Sequence, residues 1–147
     1  MSSETVFERW QRMAEGYEKL EIYQRAHDLA VRVHKMTLTL PRFEMHEEGG
    51  QVRRSSKSIS SNIVEGFALR KYKNEFLHYL YRTFGSSKET IEHLKYLSET
   101  ESWKDKDMCG AMVREYEILT GMIFRFIESV EGGHEKPSYL KEPEGRI

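Results

Sequence analysis

The stretch KDMCGAMVREYEILTGMIFRFIESV, from Lys106 to Val130, decides the fold. Its apolar positions are Cys109, Met112, Tyr116, Leu119, Ile123, Phe126 and Val130. They advance by alternating steps of three and four, the signature of one face of an α-helix. Glu131-Gly132-Gly133 follows and ends the segment. No strand alternates in this way, so the chain is read outward from a long amphipathic helix.

Three more segments carry the same rhythm. The first runs from about Lys19 to Leu40, with Ile22, Ala26, Leu29, Val33, Met36 and Leu40 on one face. Pro41 closes it, because proline disfavours helical geometry in the residue before it. The second runs from about Met45 to Ala68, on Val52, Ser56, Ile59, Ile63 and Phe67. It is rich in serine, a mediocre helix former. Small residues let a neighbouring backbone come close, so it reads as a central helix packed tightly on its partners. Gly49-Gly50 leaves the position of its first turn open. The third runs from about Lys73 to Thr100, on Leu77, Leu80, Phe84, Ser87, Ile91, Leu94 and Ser98.

Runs with period two and hairpin turn pairs are absent. Four helices with short connectors make antiparallel neighbours. The expected fold is all-α, an antiparallel up-down-up-down four-helix bundle. Phe7, Trp10 and Met13 lie near one helical face and leave room for a short extra N-terminal helix. The 147 residues form a single domain. Residues 1–18 read as an extension, 19–130 as the bundle and 131–147 as a flexible tail.

Composition excludes several classes. One cysteine, Cys109, forms no internal disulfide and no multi-cysteine zinc site. It lies on an apolar stripe, where a buried, inert thiol is the common state. No run approaches the roughly 18 apolar residues of a membrane span, and the N-terminus lacks a signal-peptide core. A cytoplasmic protein with no membrane partner is expected. Glu75-Phe-Leu-His78 has the spacing of a di-iron ligand pair, but the second such spelling, Glu131 to His134, crosses two glycines. His27 and His34 stand seven apart, about 10 Å, too far to share one zinc, and read as boundary or subunit-interface residues. No phosphate loop, nucleophile elbow or zinc-protease spelling occurs. No catalytic residue, metal or cofactor is expected.

The charge distribution is more informative. The net charge is −1, yet Arg53, Arg54, Lys57, Arg70, Lys71 and Lys73 stand against Glu65 alone in one window, a surplus of +5. The remaining 17 basic and 23 acidic residues leave −6. Such a stripe attracts phosphate with little sequence preference and with affinity that falls as salt rises. Tyr72, inside the second half of the cluster, is placed to stack on an unpaired base. The competing reading is that these charges solubilise the helix or meet acids of another subunit. Asn62 and Glu65 flank the apolar stripe of the second segment. With Ser86, Ser87 and Glu89 across from them, they read as a hydrogen-bond network that fixes helix register. Tyr72, Phe76, Tyr79, Leu80, Tyr81 and Phe84 crowd a short span, more than one bundle face is expected to cover, which points to an interface.

Several spellings together resemble a bacterial family. They are Glu21-Ile-Tyr-Gln-Arg-Ala26, Gln51-Val-Arg-Arg54, Ser61-Asn-Ile-Val-Glu-Gly66, Asn74-Glu-Phe-Leu77 and Gly85-Ser-Ser-Lys-Glu89. The family comprises small four-helix-bundle proteins encoded in intervening sequences of 23S ribosomal RNA genes. It also includes Avd, the accessory variability determinant of diversity-generating retroelements. The resemblance covers about Leu20 to Tyr96 well and the fourth segment loosely. It implies a homopentamer with a central channel. For Avd-type members it implies binding of RNA or DNA and of a reverse transcriptase, without catalysis. By position, Asn62, Glu65, Gly66, Gly85, Ser86 and Glu89 are the family's structural motif residues, and Arg53, Arg54 and Lys57 match its basic helix. The chain departs from the pattern in its two extensions, in Tyr72-Lys73, where members often carry serine or threonine, and in its neutral charge, where Avd proteins are strongly basic. The leading expectation is a non-enzymatic oligomeric binder of nucleic acid, modest in strength and salt-sensitive. The alternative is a protein–protein scaffold, and a ferritin-like metal enzyme comes third.

Overall fold

The computed structural model describes residues 3–5, 8 and 16–132. A single 3-10 turn, Tyr17–Lys19, leads into helix α1, Glu21–Thr37. A short helix α2, Arg42–His46, precedes α3, Glu48–Ala68. Two further helices follow, α4, Lys73–Glu99, and α5, Lys106–Val130. There is no strand among the described residues.

The four long helices form an antiparallel bundle in the order α1, α3, α4, α5, with α5 returning to α1. Cross-helix bonds fix the register. Thr37 and His34 of α1 meet Arg53 and Lys57 of α3. Ser55 and Ser58 of α3 meet Thr90 and Ser86 of α4. Ser87 and Leu94 of α4 meet Thr120 and Cys109 of α5. In every pair one number falls as the other rises, so each neighbour runs the opposite way.

The strict three-four stripe of α5 places that helix at the bounds its periodicity gives. Asp105 caps it by accepting from the Met108 N–H at 3.0 Å. Its end is a left-handed residue, Gly132, with φ +83°. The core is aliphatic, with Val33, Val52, Ile59, Ile63, Leu94 and Ile123 out of reach of water. Phe76 lies edge-on to Phe67 at 6.4 Å and to Phe126 at 6.1 Å. Such pairs add about 0.5–1.5 kcal/mol beyond area burial.

The structure departs from the sequence reading at three places. The chain between Pro41 and Glu47 forms α2 instead of entering α3 directly. Gly49, whose place the sequence left open, lies in the first turn of α3, where a Cβ would come 2.7 Å from the Glu44 carbonyl oxygen of α2. The aromatic surplus of α4 is partly covered within the chain. Phe76 and Leu80 are buried, Tyr79, Tyr81 and Phe84 are half-buried, and Tyr72 alone of that group is exposed. Finally Glu131, expected to open the tail, is 5% exposed and accepts the Tyr81 hydroxyl at 2.6 Å. The bundle therefore extends one residue past α5. The expected N-terminal helix and tail otherwise lie outside the described residues. At its edge, Thr5 and Glu8 exchange reciprocal side-chain-to-backbone bonds of 2.8 and 3.0 Å, a helix-start capping box.

Candidate nucleic-acid interface

The six basic residues divide into two groups, one in the first half of α3 and one in the turn that follows it and the start of α4. Seventeen residues at 1.5 Å each put Arg53 and Arg70 roughly 25 Å apart. Within each group some cations are committed to the fold and others face outward. Arg53 is half-buried and donates to the Thr37 hydroxyl at 2.9 Å, tying α3 to the end of α1. Arg54 is exposed and bonds Gln51 on its own helix at 2.9 Å. Lys57 is exposed, with its ammonium 3.0 Å from His34 Nδ1.

In the second group, Arg70 lies 4.2 Å above the Phe67 ring and donates to the Phe67 carbonyl at 3.0 Å. Lys71 is exposed, 5.9 Å from the Tyr72 ring. Lys73 reaches the Glu131 carbonyl at 3.4 Å. The outward cations are therefore Arg54, Lys57 and Lys71.

The motif residues also divide. Asn62 donates to the Ser58 carbonyl at 2.8 Å and to its hydroxyl at 2.9 Å, and that hydroxyl meets Ser86 at 2.9 Å. Gly66 is buried, and a Cβ there would lie 2.9 Å from Tyr79 Cβ. These three residues build the α3–α4 contact. Glu65 does not join them. It is exposed, because Arg54, Lys57, Ser61, Glu65 and Ala68 make one outward stripe of α3. Gly85 is exposed and has nothing within 4 Å of a built Cβ. Glu89 turns away from α3's motif and faces His93 Nε2 at 3.2 Å, while Glu48 meets His93 Nδ1 at 2.5 Å. Carboxylates only accept, so both contacts are hydrogen bonds when the ring carries both N–H protons. This clasp between α3 and α4 was not read from the sequence, where Glu48 and His93 stand 45 positions apart.

The structure adds a groove between α1 and α3 that sequence reasoning saw only through its two histidines. It has a volume of about 410 Å³. From α1 come His27, Ala30, Val31, His34 and Lys35, and from α3 Lys57 and Ser60. A second groove, about 330 Å³, lies across the bundle between α4 and α5. Phe84 and Phe124 line it, 6.1 Å apart, with Lys88 and Glu117 at its rim.

Two interior groups bear on chemistry. Cys109 is buried, donates to the Leu94 carbonyl, and burial pushes its thiol up from its ordinary range. Burial also pushes the Tyr116 phenol well up, although the Arg32 charge pulls the other way. Neither is poised as a nucleophile or base. Glu75 and His78 are both exposed, and no cluster of three metal-ligating side chains occurs among the described residues. No described helix is long and apolar enough to cross a membrane.

Fold and surface together define a small all-α bundle with an aliphatic core, hydroxyl contacts at the α3–α4 seam and outward cations on and just after its second long helix. Residues 18–125 match the family model of the 23S rRNA-intervening sequence protein, and the chain belongs to that family. A search of curated proteins returns no match.

Proposed function

We propose that this protein is a non-enzymatic, oligomeric accessory factor of the cytoplasm that binds nucleic acid through α3 and the turn after it. The observation that carries this reading is the outward placement of Arg54, Lys57 and Lys71, in a window whose only acid is Glu65. Exposed cations on a neutral protein give modest, salt-dependent affinity for phosphate. The family's name, tied to an intervening sequence of ribosomal RNA, agrees with a nucleic-acid setting.

Self-association, as a pentamer with a central channel, belongs to the same proposal. Its support is the exposed Phe124, which lines the α4–α5 groove as a pair with the half-buried Phe84, since aromatic surface of this kind is enriched at interfaces. That pair takes the place of the wider set of α4 aromatics on which the sequence argument for an interface rested. An Avd-like role with a reverse transcriptase as partner is the specialised form of the proposal. The same pair also supports the second reading, a protein–protein scaffold.

The test is fluorescence anisotropy with labelled RNA and DNA at low and high salt, with solution mass measured by light scattering. Arg54→Glu with Lys57→Glu is the informative variant, because Arg53 also holds the fold. Binding that falls with salt and with the double reversal supports the reading. Absence of binding at low salt, with an oligomer present, favours the scaffold.

A further inference from the structure

We infer that the α1–α3 groove seats an unpaired base of a single nucleic-acid strand, with the flanking phosphates on Lys35 and Lys57. This inference rests on the nucleic-acid reading above and adds a ligand subsite to it. Three features of the groove converge on that ligand.

The first is size. A cavity of about 410 Å³ falls in the range of sites that bury small ligands, and a base with its sugar is of that class. The second is the combination of lining and charge. Ala30 and Val31 give an apolar surface, and Val31 is 40% exposed. Lys35 and Lys57 stand on opposite walls, one on α1 and one on α3, and no carboxylate is among the described lining residues. The cores of protein–protein contacts are depleted of charge, and of lysine in particular. An apolar groove bordered by cations from both walls instead suits a molecule with an uncharged flat face and an anionic backbone. Arg54, exposed one turn before Lys57, carries the cationic track beyond the groove.

The third feature is the pair of imidazoles. His27 is held by the Tyr23 hydroxyl, 3.4 Å from its Nδ1, with the two rings 5.6 Å apart. An imidazole fixed in this way is a stacking surface for a splayed base. His34 accepts from the Lys57 ammonium through Nδ1, which leaves its Nε2–H free to donate to a phosphate or a base edge. The α4–α5 groove lacks this pattern, for it pairs aromatic rings with charges of both signs.

A duplex hides its base faces, so the groove selects unpaired strands. RNA and DNA share the chemistry, and separate arms of the experiment distinguish them. The probes are labelled single-stranded RNA, the same sequence as single-stranded DNA, the duplex, and an oligonucleotide of equal length with abasic sites. Val31→Glu places a carboxylate in the groove at an exposed position, and Lys35→Ala with Lys57→Ala removes its cations. The expected result is at least tenfold weaker single-strand binding by Val31→Glu, a smaller change on duplex, and weak binding of the abasic strand by the wild type. Equal binding of abasic and ordinary strands overturns the base seat. Unchanged single-strand binding by both groove variants overturns it too, while the loss caused by Arg54→Glu would leave the broader reading standing. A drop in solution mass in Val31→Glu, with binding intact, assigns the groove to a second copy and overturns the inference. No binding by the wild type at low salt removes the nucleic-acid reading itself.

Discussion

Helix α3 offers small residues to both of its neighbours, and the two seams come out differently. Toward α4 the seam is shut. Ser55 meets Thr90, Ser58 meets Ser86, and the Thr83 hydroxyl reaches the Ile59 carbonyl at 3.4 Å. Gly66 lies under Tyr79 and Phe76. Toward α1 the seam stays open, although Ala30 and Ser60 are equally small. The difference lies in what flanks the small residues. Hydroxyls that answer each other, and aromatic rings that roof a glycine, draw the backbones together. Along the groove Lys35 is exposed, and Lys57 meets the half-buried His34 through a long side chain rather than a short hydroxyl. Small residues permit a close approach, and their neighbours decide whether it happens.

The strongest way to break this comparison is to add volume to the shut seam. Gly66→Val should destabilise the bundle by about 2–3 kcal/mol, because its Cβ meets Tyr79 Cβ and the rings behind have no room to retreat. Urea denaturation reads the effect. A change in midpoint within error would show that the seam yields.

Next is alkaline pH, which probes the interior that both seams enclose. Cys109 and Tyr116 each hold their proton more tightly when folded than when unfolded. A raised folded pKa gives stability that is complete below the ordinary value and is lost as pH rises from that value through the raised one. Those ordinary values are 9.0 for the thiol and 10.0 for the phenol. Stability should therefore decline from about pH 9, with each group contributing at most about 1.4 kcal/mol per pH unit. Tyr116→Phe should flatten the decline above pH 10. It should cost little at neutral pH, because the phenol oxygen is buried without a hydrogen-bond partner among the described residues. A decline unchanged by that substitution would mean the phenol is reached by water.

Thr90→Val tests the hydroxyl half of the shut seam. Its hydroxyl lies 2.9 Å from the Ser55 hydroxyl and 2.8 Å from the Ser86 carbonyl, and its one proton serves one of the two at a time. Removing it should cost about 1 kcal/mol by thermal or urea denaturation. The loss stays moderate because Ser55 keeps its own bond to the Val52 carbonyl.

What the sequence made legible follows the same division. Periodicity located the four long helices, since each buries one continuous face, and it placed α5 residue for residue. It missed α2, because five residues are too few to show a period and Pro41 read as a break. Serine content foretold a tight contact for α3, and Asn62, Gly66 and Ser86 all take part in it. Glu65 was misjudged because flanking a stripe by sequence does not say which way the flank turns. The α1–α3 groove was legible only as two histidines seven apart. The two grooves arise from how helices splay, which no single segment records. Likewise the clasp of Glu48, His93 and Glu89 depends on an antiparallel register that exists only after folding.

The smallest effect separates the two glycines of the family motif. Gly66 is needed where it stands, but Gly85 sits exposed in the interior of α4 with open space around a built Cβ. Within one chain, Gly85→Ala should stabilise the bundle by about 0.5–1 kcal/mol, the ordinary cost of glycine inside a helix. Denaturation at protein concentrations a hundredfold apart checks it. A gain that is independent of concentration means that nothing packs against α4 at this point. A loss that appears only where the protein is oligomeric would mean that a neighbouring copy needs the missing side chain, and that this glycine closes a seam between chains as Gly66 closes one within.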